Sequence, residues 1–289
     1  MTTSHQAPPA PAPGAHPAPH PAGGPGGFVS PIPVQNTTLG HALRSEWTKI
    51  RTVRSTLWTL GAMLALVLGI GLLVAAAMSG HDMSGFPVLG AGFFGVLLGS
   101  LCVITLGVLV ISSEYGTGMI RTTLTACPSR SRVLTAKALV FFGTAFVLTT
   151  VACALVALVD TGMLTGSGAD SPSGSQWARA TLGTGAYVAL LGLLALAVGT
   201  MLRHSAGAIT TMLGVVLLPL IVALFMQTDS LRDVQRALIE YSVPNALAAL
   251  YGIPFLDSGP QVWQPLWILA GVTAAALAGA YTVLGRRDV

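Results

Sequence analysis

The segment Ser112–Lys137 reads SSEYGTGMIRTTLTACPSRSRVLTAK, and any assignment of fold has to explain it. It carries one carboxylate, Glu114, and four cations: Arg121, Arg130, Arg132 and Lys137. Long apolar runs that are almost free of charge lie on both sides of it. A basic segment that can form a helix therefore separates two stretches that belong in an apolar environment.

The composition of the chain is typical of a membrane protein. Of its 289 residues, 53% are hydrophobic and only 8% are charged, whereas soluble domains carry roughly 25% charged residues. Six continuous apolar runs are long enough to cross a ~30 Å hydrocarbon layer as helices, at about 57–78, 88–111, 138–159, 180–201, 206–226 and 266–284. Continuous rather than alternating hydrophobicity favours helices over a β-barrel. We therefore predict an all-α membrane protein with six transmembrane helices.

The first 38 residues differ from the rest of the chain. They are rich in proline, glycine and alanine and contain no Lys, Arg, Asp or Glu. Such a stretch cannot bury enough apolar area to offset the entropy lost on ordering. We predict a disordered tail at 1–38 and a six-helix membrane domain at 39–289.

The distribution of Lys and Arg around the six runs predicts the orientation, because cytoplasmic loops are enriched in these residues. One side of the membrane receives Arg44, Lys49, Arg51, Arg54, Arg121, Arg130, Arg132, Lys137, Arg203, Arg286 and Arg287. The other side receives only Arg179, Arg232 and Arg236. Both termini are thus expected to be cytoplasmic in a multi-pass protein of the cell membrane. The cations flank spans rather than form one stripe, so nucleic-acid binding is not indicated.

The residues before the first run predict a helix that lies along the membrane surface. Trp47, Ile50 and Leu57 recur at helical spacing, Lys49 lies off this apolar stripe, and Trp47 suits the headgroup level. Glu46 falls on the apolar stripe and needs an explanation. Either its carboxylate reaches water, or it contacts a cation of the segment Ser112–Lys137, such as Arg121.

The outer connection before the last run predicts two short helices. Ser230 to Asp233 fits a capping box, and Pro244 can begin a second helix that Gly252 ends. These extracellular helices would occupy about 230–251.

Residue patterns for catalysis, metals or cofactors are absent from the sequence. The two lysines, Lys49 and Lys137, do not follow a glycine, so no P-loop can be built. The GAGFFG sequence at 90–95 lies within a span, where Gly92, Gly95 and Gly99 are better explained by close helix approach. The three cysteines form no CxxC pair. We predict no catalytic residue, metal or cofactor, and an energy source outside this chain.

The order of several motifs resembles ABC-2 type transporter permeases, with similarity to actinobacterial members. The segment Ser112–Lys137 contributes EYGTG at 114–118, IRTTL at 120–124, Pro128, Arg130, RVL at 132–134 and AK at 136–137. EWTKIRT at 46–52 and RRD at 286–288 add to the likeness, which covers about 39–289. One departure is Gly116, where many relatives carry a basic residue.

The resemblance implies a connecting helix at 39–55, a cytoplasmic coupling helix at 114–126 and the paired outer helices. It also implies a permease that pairs with a second permease copy, as a homodimer or heterodimer, and with two copies of a separate ABC ATPase. For docking on that ATPase, Glu114, Tyr115 and Arg121 are the candidates, with Arg203 in a smaller second contact. The alternative for each charge is an ordinary contact with lipid phosphates.

The function expected from these features is that of an ABC exporter permease, not itself an enzyme. Apolar span interiors, with Thr105, Thr149 and Thr150 as polar points, favour a lipophilic substrate. A membrane-anchored assembly or sensing protein without transport activity is the alternative.

Overall fold

The computed structural model describes residues 38–81, 85–127, 129–165, 171–226 and 228–286, and within these ranges the chain contains helices and no strand. All but Thr38 of the predicted tail at 1–38 lies outside the described residues. Thr38 caps the first helix, because its hydroxyl accepts a hydrogen bond from the backbone N–H of His41.

The helices follow one another with short connections. The first half contains α1 (Leu39–Thr52), α2 (Arg54–Met78), a 3-10 turn (Val88–Gly92) that leads into α3 (Phe93–Gly116), α4 (Met119–Ala126) and α5 (Arg130–Leu164). The second half contains α6 (Gly174–Ala178), a π-helical turn (Arg179–Gly183), α7 (Thr184–Leu202), α8 (Ser205–Phe225), α9 (Arg232–Glu240), α10 (Val243–Leu250) and α11 (Gln264–Arg286).

Six helical segments of the described chain are long and apolar enough to cross a membrane, which confirms the six predicted spans. Several are longer than the apolar runs that predicted them. Helix α5 has 35 residues, or about 52 Å, which exceeds a ~30 Å hydrocarbon layer. Hydropathy detects only the apolar part of a helix. The predicted spans therefore did not include the polar ends of α3 and α5.

Small residues set the packing of the central helices. Helix α3 packs against α7 so closely that a Cβ atom on Gly107 would overlap the carbonyl group of Gly192. On its other side, a Cβ atom on Gly95 would lie 2.6 Å from the carbonyl oxygen of Val67 in α2. Gly92 and Gly99 are also in tight contacts, so the prediction that these glycines permit close helix approach is confirmed.

The predicted coupling helix at 114–126 begins at the wrong residue. Helix α3 continues through Glu114 to Gly116, and the backbone N–H of Thr117 still donates to Ser113. The break comes at Gly118, whose φ of 72° favours glycine. The short helix α4 therefore runs only from Met119 to Ala126. Its end agrees with the prediction, although Pro128 lies outside the described residues.

Smaller corrections apply at two other places. The connecting helix predicted at 39–55 ends at Thr52, because Val53 adopts an extended conformation before α2 begins. The two outer helices predicted at 230–251 are α9 and α10, but the cap at Ser230 is wrong. Ser242 instead caps α10 by accepting from the backbone N–H of Asn245.

Candidate functional site

Two carboxylates and two ammonium groups form a closed ring between α1, α3 and α5. The Nζ atom of Lys137 lies 2.6 Å from Oε2 of Glu46 and 2.8 Å from Oε1 of Glu114. The Nζ atom of Lys49 lies 2.7 Å from Oε1 of Glu46 and 2.8 Å from the same Oε1 of Glu114. Each charged group therefore has two partners of opposite charge.

The ring is almost completely removed from solvent. Exposed fractions of the side chains are 1% for Lys137, 2% for Glu114 and 6% for Glu46, and only Lys49 reaches 26%. Helix geometry produces this arrangement, since Glu46 and Lys49 are one turn apart on α1. Glu114 lies near the end of α3, and Lys137 lies two turns after the start of α5.

The contacts of the ring favour the charged state of Lys49. Burial alone would lower the pKa of Lys49, but hydrogen bonds to Glu114 and Glu46 outweigh it and hold the pKa above its ordinary value. The ring has no net charge, and each group makes two short contacts with opposite charges, although Oε2 of Glu114 has no hydrogen-bond partner among the described residues. Such a cluster ties three helices together, because none of its members can leave without exposing an unpaired charge.

The ring decides between the two interpretations of Glu46. Its carboxylate does not reach water, and it contacts a cation of the segment Ser112–Lys137, as the second interpretation stated. The cation is Lys137 rather than Arg121, so the partner was wrong. Lys137 was assigned only to the basic side of the membrane, whereas the structure shows that its ammonium group is buried. The two groups are 91 residues apart, and no local pattern links them.

A second contact joins the end of α3 to the turn between α7 and α8. The guanidinium carbon of Arg203 lies 5.1 Å from the centre of the Tyr115 ring, as in a cation–π interaction. Arg203 ends α7 in the left-handed conformation, with φ of 55°. His204 then caps α8 by accepting from the backbone N–H of Gly207. This tight turn brings Arg203 to the same end of the molecule as the ring.

Helix α4 presents the exposed surface at this end. Ile120 is buried and anchors the helix, whereas Arg121, Thr122 and Thr125 are exposed. The hydroxyl groups of Thr122 and Thr125 donate to backbone carbonyls of the same helix. Of the three candidates predicted on the segment Ser112–Lys137, Arg121 alone is exposed. Glu114 is buried and Tyr115 is half-buried against Arg203, so the docking contacts of these two side chains stay predictions.

Two cavities flank the ring and border α4. One has a volume of about 220 Å³ and lies between α1 and the end of α4, with Glu46, Lys49 and Thr123 in its wall. The other has a volume of about 210 Å³ and includes Glu114, Lys137 and Met119. Helix α4 therefore has space on its inner side, next to the groups that hold α1, α3 and α5.

A further ionisable side chain lies near the opposite end of α5. Asp160 is fully buried, and its carboxylate lies near the backbone of Gly92 but outside good hydrogen-bond geometry. Lys137 and Asp160 both lie within about two turns of the ends of α5. Both side chains are buried rather than exposed at the surface.

Comparison with known families completes the description of the site. The family model described as "ABC-2 family transporter protein" matches residues 42–219, which include all four members of the ring and the whole of α4. No curated protein matches the chain.

Proposed function

Because this chain belongs to the ABC-2 family of transporter proteins, we propose that it is an exporter permease driven by a separate ATPase subunit. The family assignment and the six apolar helices make it a multi-pass membrane protein and a permease component of an ABC transporter. The outward direction of transport, the separate ATPase subunit and the class of substrate are proposals. The proposal includes a location in the cell membrane with both termini cytoplasmic.

The observation that carries the proposal is the link from α4 to the ring. Helix α4 is short, exposed on one side, and joined directly to the ends of two spans, α3 and α5. Those spans are held to each other and to α1 by Glu46, Glu114 and Lys137. A partner that pushes on α4 would therefore move three helices together rather than one loop.

The roles of the candidate residues follow from their exposure. Arg121 would contact an acidic or polar surface of the ATPase, because its guanidinium group is exposed on α4. Glu114 would act as a positioning residue that keeps α3 attached to α5. Arg203 and Tyr115 would transmit the same movement to α7 and α8 through their stacking contact.

The proposed location of α1 at the membrane surface is supported by its mixture of apolar and basic side chains. Trp47 is exposed on this helix, and the guanidinium carbon of Arg51 lies 5.9 Å from the centre of its ring. Exposed Trp beside Arg suits the interface between headgroups and acyl chains. In this position α1 would lie along the cytoplasmic leaflet, with Glu46 and Lys49 directed into the ring.

A lipophilic substrate is proposed from the apolar character of the spans. The complex would contain two permease copies, identical or different, and two ATPase copies. ATP binding would bring the ATPase subunits together, press on both α4 helices, and open the path between the spans outward.

Affinity purification in mild detergent tests this function. A tagged chain, isolated from cells that naturally make it, should carry with it a P-loop ATPase identified by mass spectrometry. The complex should hydrolyse ATP, and inside-out vesicles containing it should take up a lipophilic dye only when ATP is supplied. An unrelated six-span protein with the same tag is the control. A chain that purifies without an ATPase, or a complex without ATP-driven uptake, would support a sensing or assembly protein instead.

A further inference from the structure

An open groove lies between α1, α2 and α5, on the side of α1 away from α4. Its volume is about 710 Å³, and its walls are apolar side chains, among them Ile50, Leu57, Leu60, Leu139 and Leu148. Several of these side chains are strongly exposed, including Leu57 at 49% and Leu139 at 53%. In the membrane such a surface faces lipid chains, which are as apolar as these side chains, so an acyl chain is a suitable occupant of the groove.

The floor of the groove is formed by one stripe of α5. Leu139, Gly143 and Val147 follow at intervals of four residues and therefore face the same direction. Gly143 leaves this stripe open, because a Cβ atom at this position would meet no atom within 4 Å. The distance along α5 from Leu139 to Leu148 is about 13 Å at 1.5 Å per residue. This is close to the hydrocarbon thickness of one leaflet, about half of 30 Å.

Two arginines of α1 line the groove. Arg44 and Arg51 both belong to its lining, both have exposed side chains, and Trp47 lies between them in the sequence. Among the described residues that line the groove there is no Asp or Glu, so the charge of this lining is positive. An occupant with an anionic head and an apolar chain complements both features.

We propose that this groove binds one anionic phospholipid, with its phosphate at Arg44 and Arg51 and an acyl chain along Gly143. The proposal rests on the membrane orientation of the proposed function, in which this leaflet faces the cytoplasm. Anionic lipids are attracted to basic residues at that surface. The bound lipid fills the space that α1, α2 and α5 leave open, and it holds α1 in the position that directs Glu46 into the ring.

Photolabelling of the purified complex in nanodiscs tests the site. The probe is phosphatidylglycerol with a diazirine in the middle of one acyl chain, and the control probe is the matching phosphatidylcholine. With phosphatidylglycerol, labelled peptides should map to α5 between Leu139 and Leu148. Because each arginine contributes to phosphate binding, Arg44→Gln with Arg51→Gln should reduce this labelling by about ten-fold.

Two glycine variants distinguish lipid binding in the groove from general contact between the protein and lipid. Gly143→Leu fills the floor of the groove and should reduce labelling at this site by about five-fold or more. Gly271→Leu is the matched control, because Gly271 lies on α11 with open space around its Cβ position. Labelling in that control should equal labelling in the unchanged protein.

Two results would overturn the proposal. One is equal labelling of the 139–148 stretch by phosphatidylglycerol and phosphatidylcholine, which would indicate ordinary lipid contact. The other is unchanged labelling in Gly143→Leu. Copurification of the ATPase is measured on the same samples. Loss of lipid selectivity with the ATPase still present would therefore disprove this site and leave the proposed function intact.

Discussion

Replacing Lys137 with methionine is expected to lower the free energy of unfolding by about 3–5 kcal/mol, the usual cost of removing one partner from a buried ion pair. The substitution keeps much of the side-chain volume but leaves Glu46 and Glu114 with only Lys49 between them. Two carboxylates facing one ammonium group give the buried ring a net negative charge. The change is measured by SDS titration in mixed micelles, or as a lower midpoint of thermal unfolding in detergent.

A double variant identifies charge balance as the cause of this loss. Glu114→Gln combined with Lys137→Met leaves the pair Glu46 and Lys49, which is neutral. We expect the double variant to be more stable than Lys137→Met alone, because the second change removes the unpaired carboxylate. Arg121→Met, which removes an exposed cation from α4, should change stability by less than about 0.5 kcal/mol. Simple addition of the two single losses in the double variant would contradict the account of the ring.

Reversing the charge of Arg121 is expected to reduce ATP-driven transport by about ten-fold or more, as expected for loss of a central charged contact worth at least about 1.4 kcal/mol. Arg121 is exposed on α4, so Arg121→Glu should leave folding and the thermal midpoint unchanged. The loss should appear both in dye uptake by inside-out vesicles and in the amount of ATPase that purifies with the chain.

The matched control for this prediction is Arg236→Glu. Arg236 is also an exposed arginine on a short helix, α9, but it belongs to the opposite side in the proposed orientation. Its reversal should leave both transport and ATPase recovery at the level of the unchanged protein. Equal losses in the two variants would indicate a general effect of charge, and normal transport in Arg121→Glu would remove α4 from the docking surface.

The transmembrane helices could be predicted from the sequence, because the hydrophobic pattern that indicates a helix is local. Continuous apolar runs predicted six spans, and glycine spacing predicted the close contact of α3 with its neighbours. Boundaries were less accurate, because α3 continues past its apolar part through Glu114 and stops only where Gly118 adopts a positive φ. Hydropathy does not detect a polar extension of a helix, so Glu114 was assigned to the wrong element.

The ring was predictable only in part, because its contacts join distant positions. A carboxylate on the apolar stripe of α1 indicated that Glu46 needs a partner, and this inference was correct. The choice of Lys137 depends on how α1 packs against α5, which no periodicity in the sequence encodes. One signal was available, since Lys137 and Lys49 are the two lysines of the chain. Both lie beside apolar runs. Arginine would set the membrane orientation equally well at these positions, so the choice of lysine indicates a further role.

The contact of Arg203 with Tyr115 was missed for a similar reason. The sequence placed both residues on the same side of the membrane but gave no distance between them. Their approach depends on the left-handed conformation of Arg203 at the turn between α7 and α8. That conformation is uncommon for arginine, and a reading of local propensity would not have selected it.

The most direct test of the central claim is site-specific photocrosslinking in membranes from cells that naturally make the protein. A photoreactive amino acid replaces Thr122 on α4 in one chain and Arg236 on α9 in a second chain. The account predicts a covalent adduct between position 122 and the P-loop ATPase, in an amount that changes when ATP is added, and no such adduct from position 236. An adduct with the ATPase from position 236 alone, or from neither position, would contradict it.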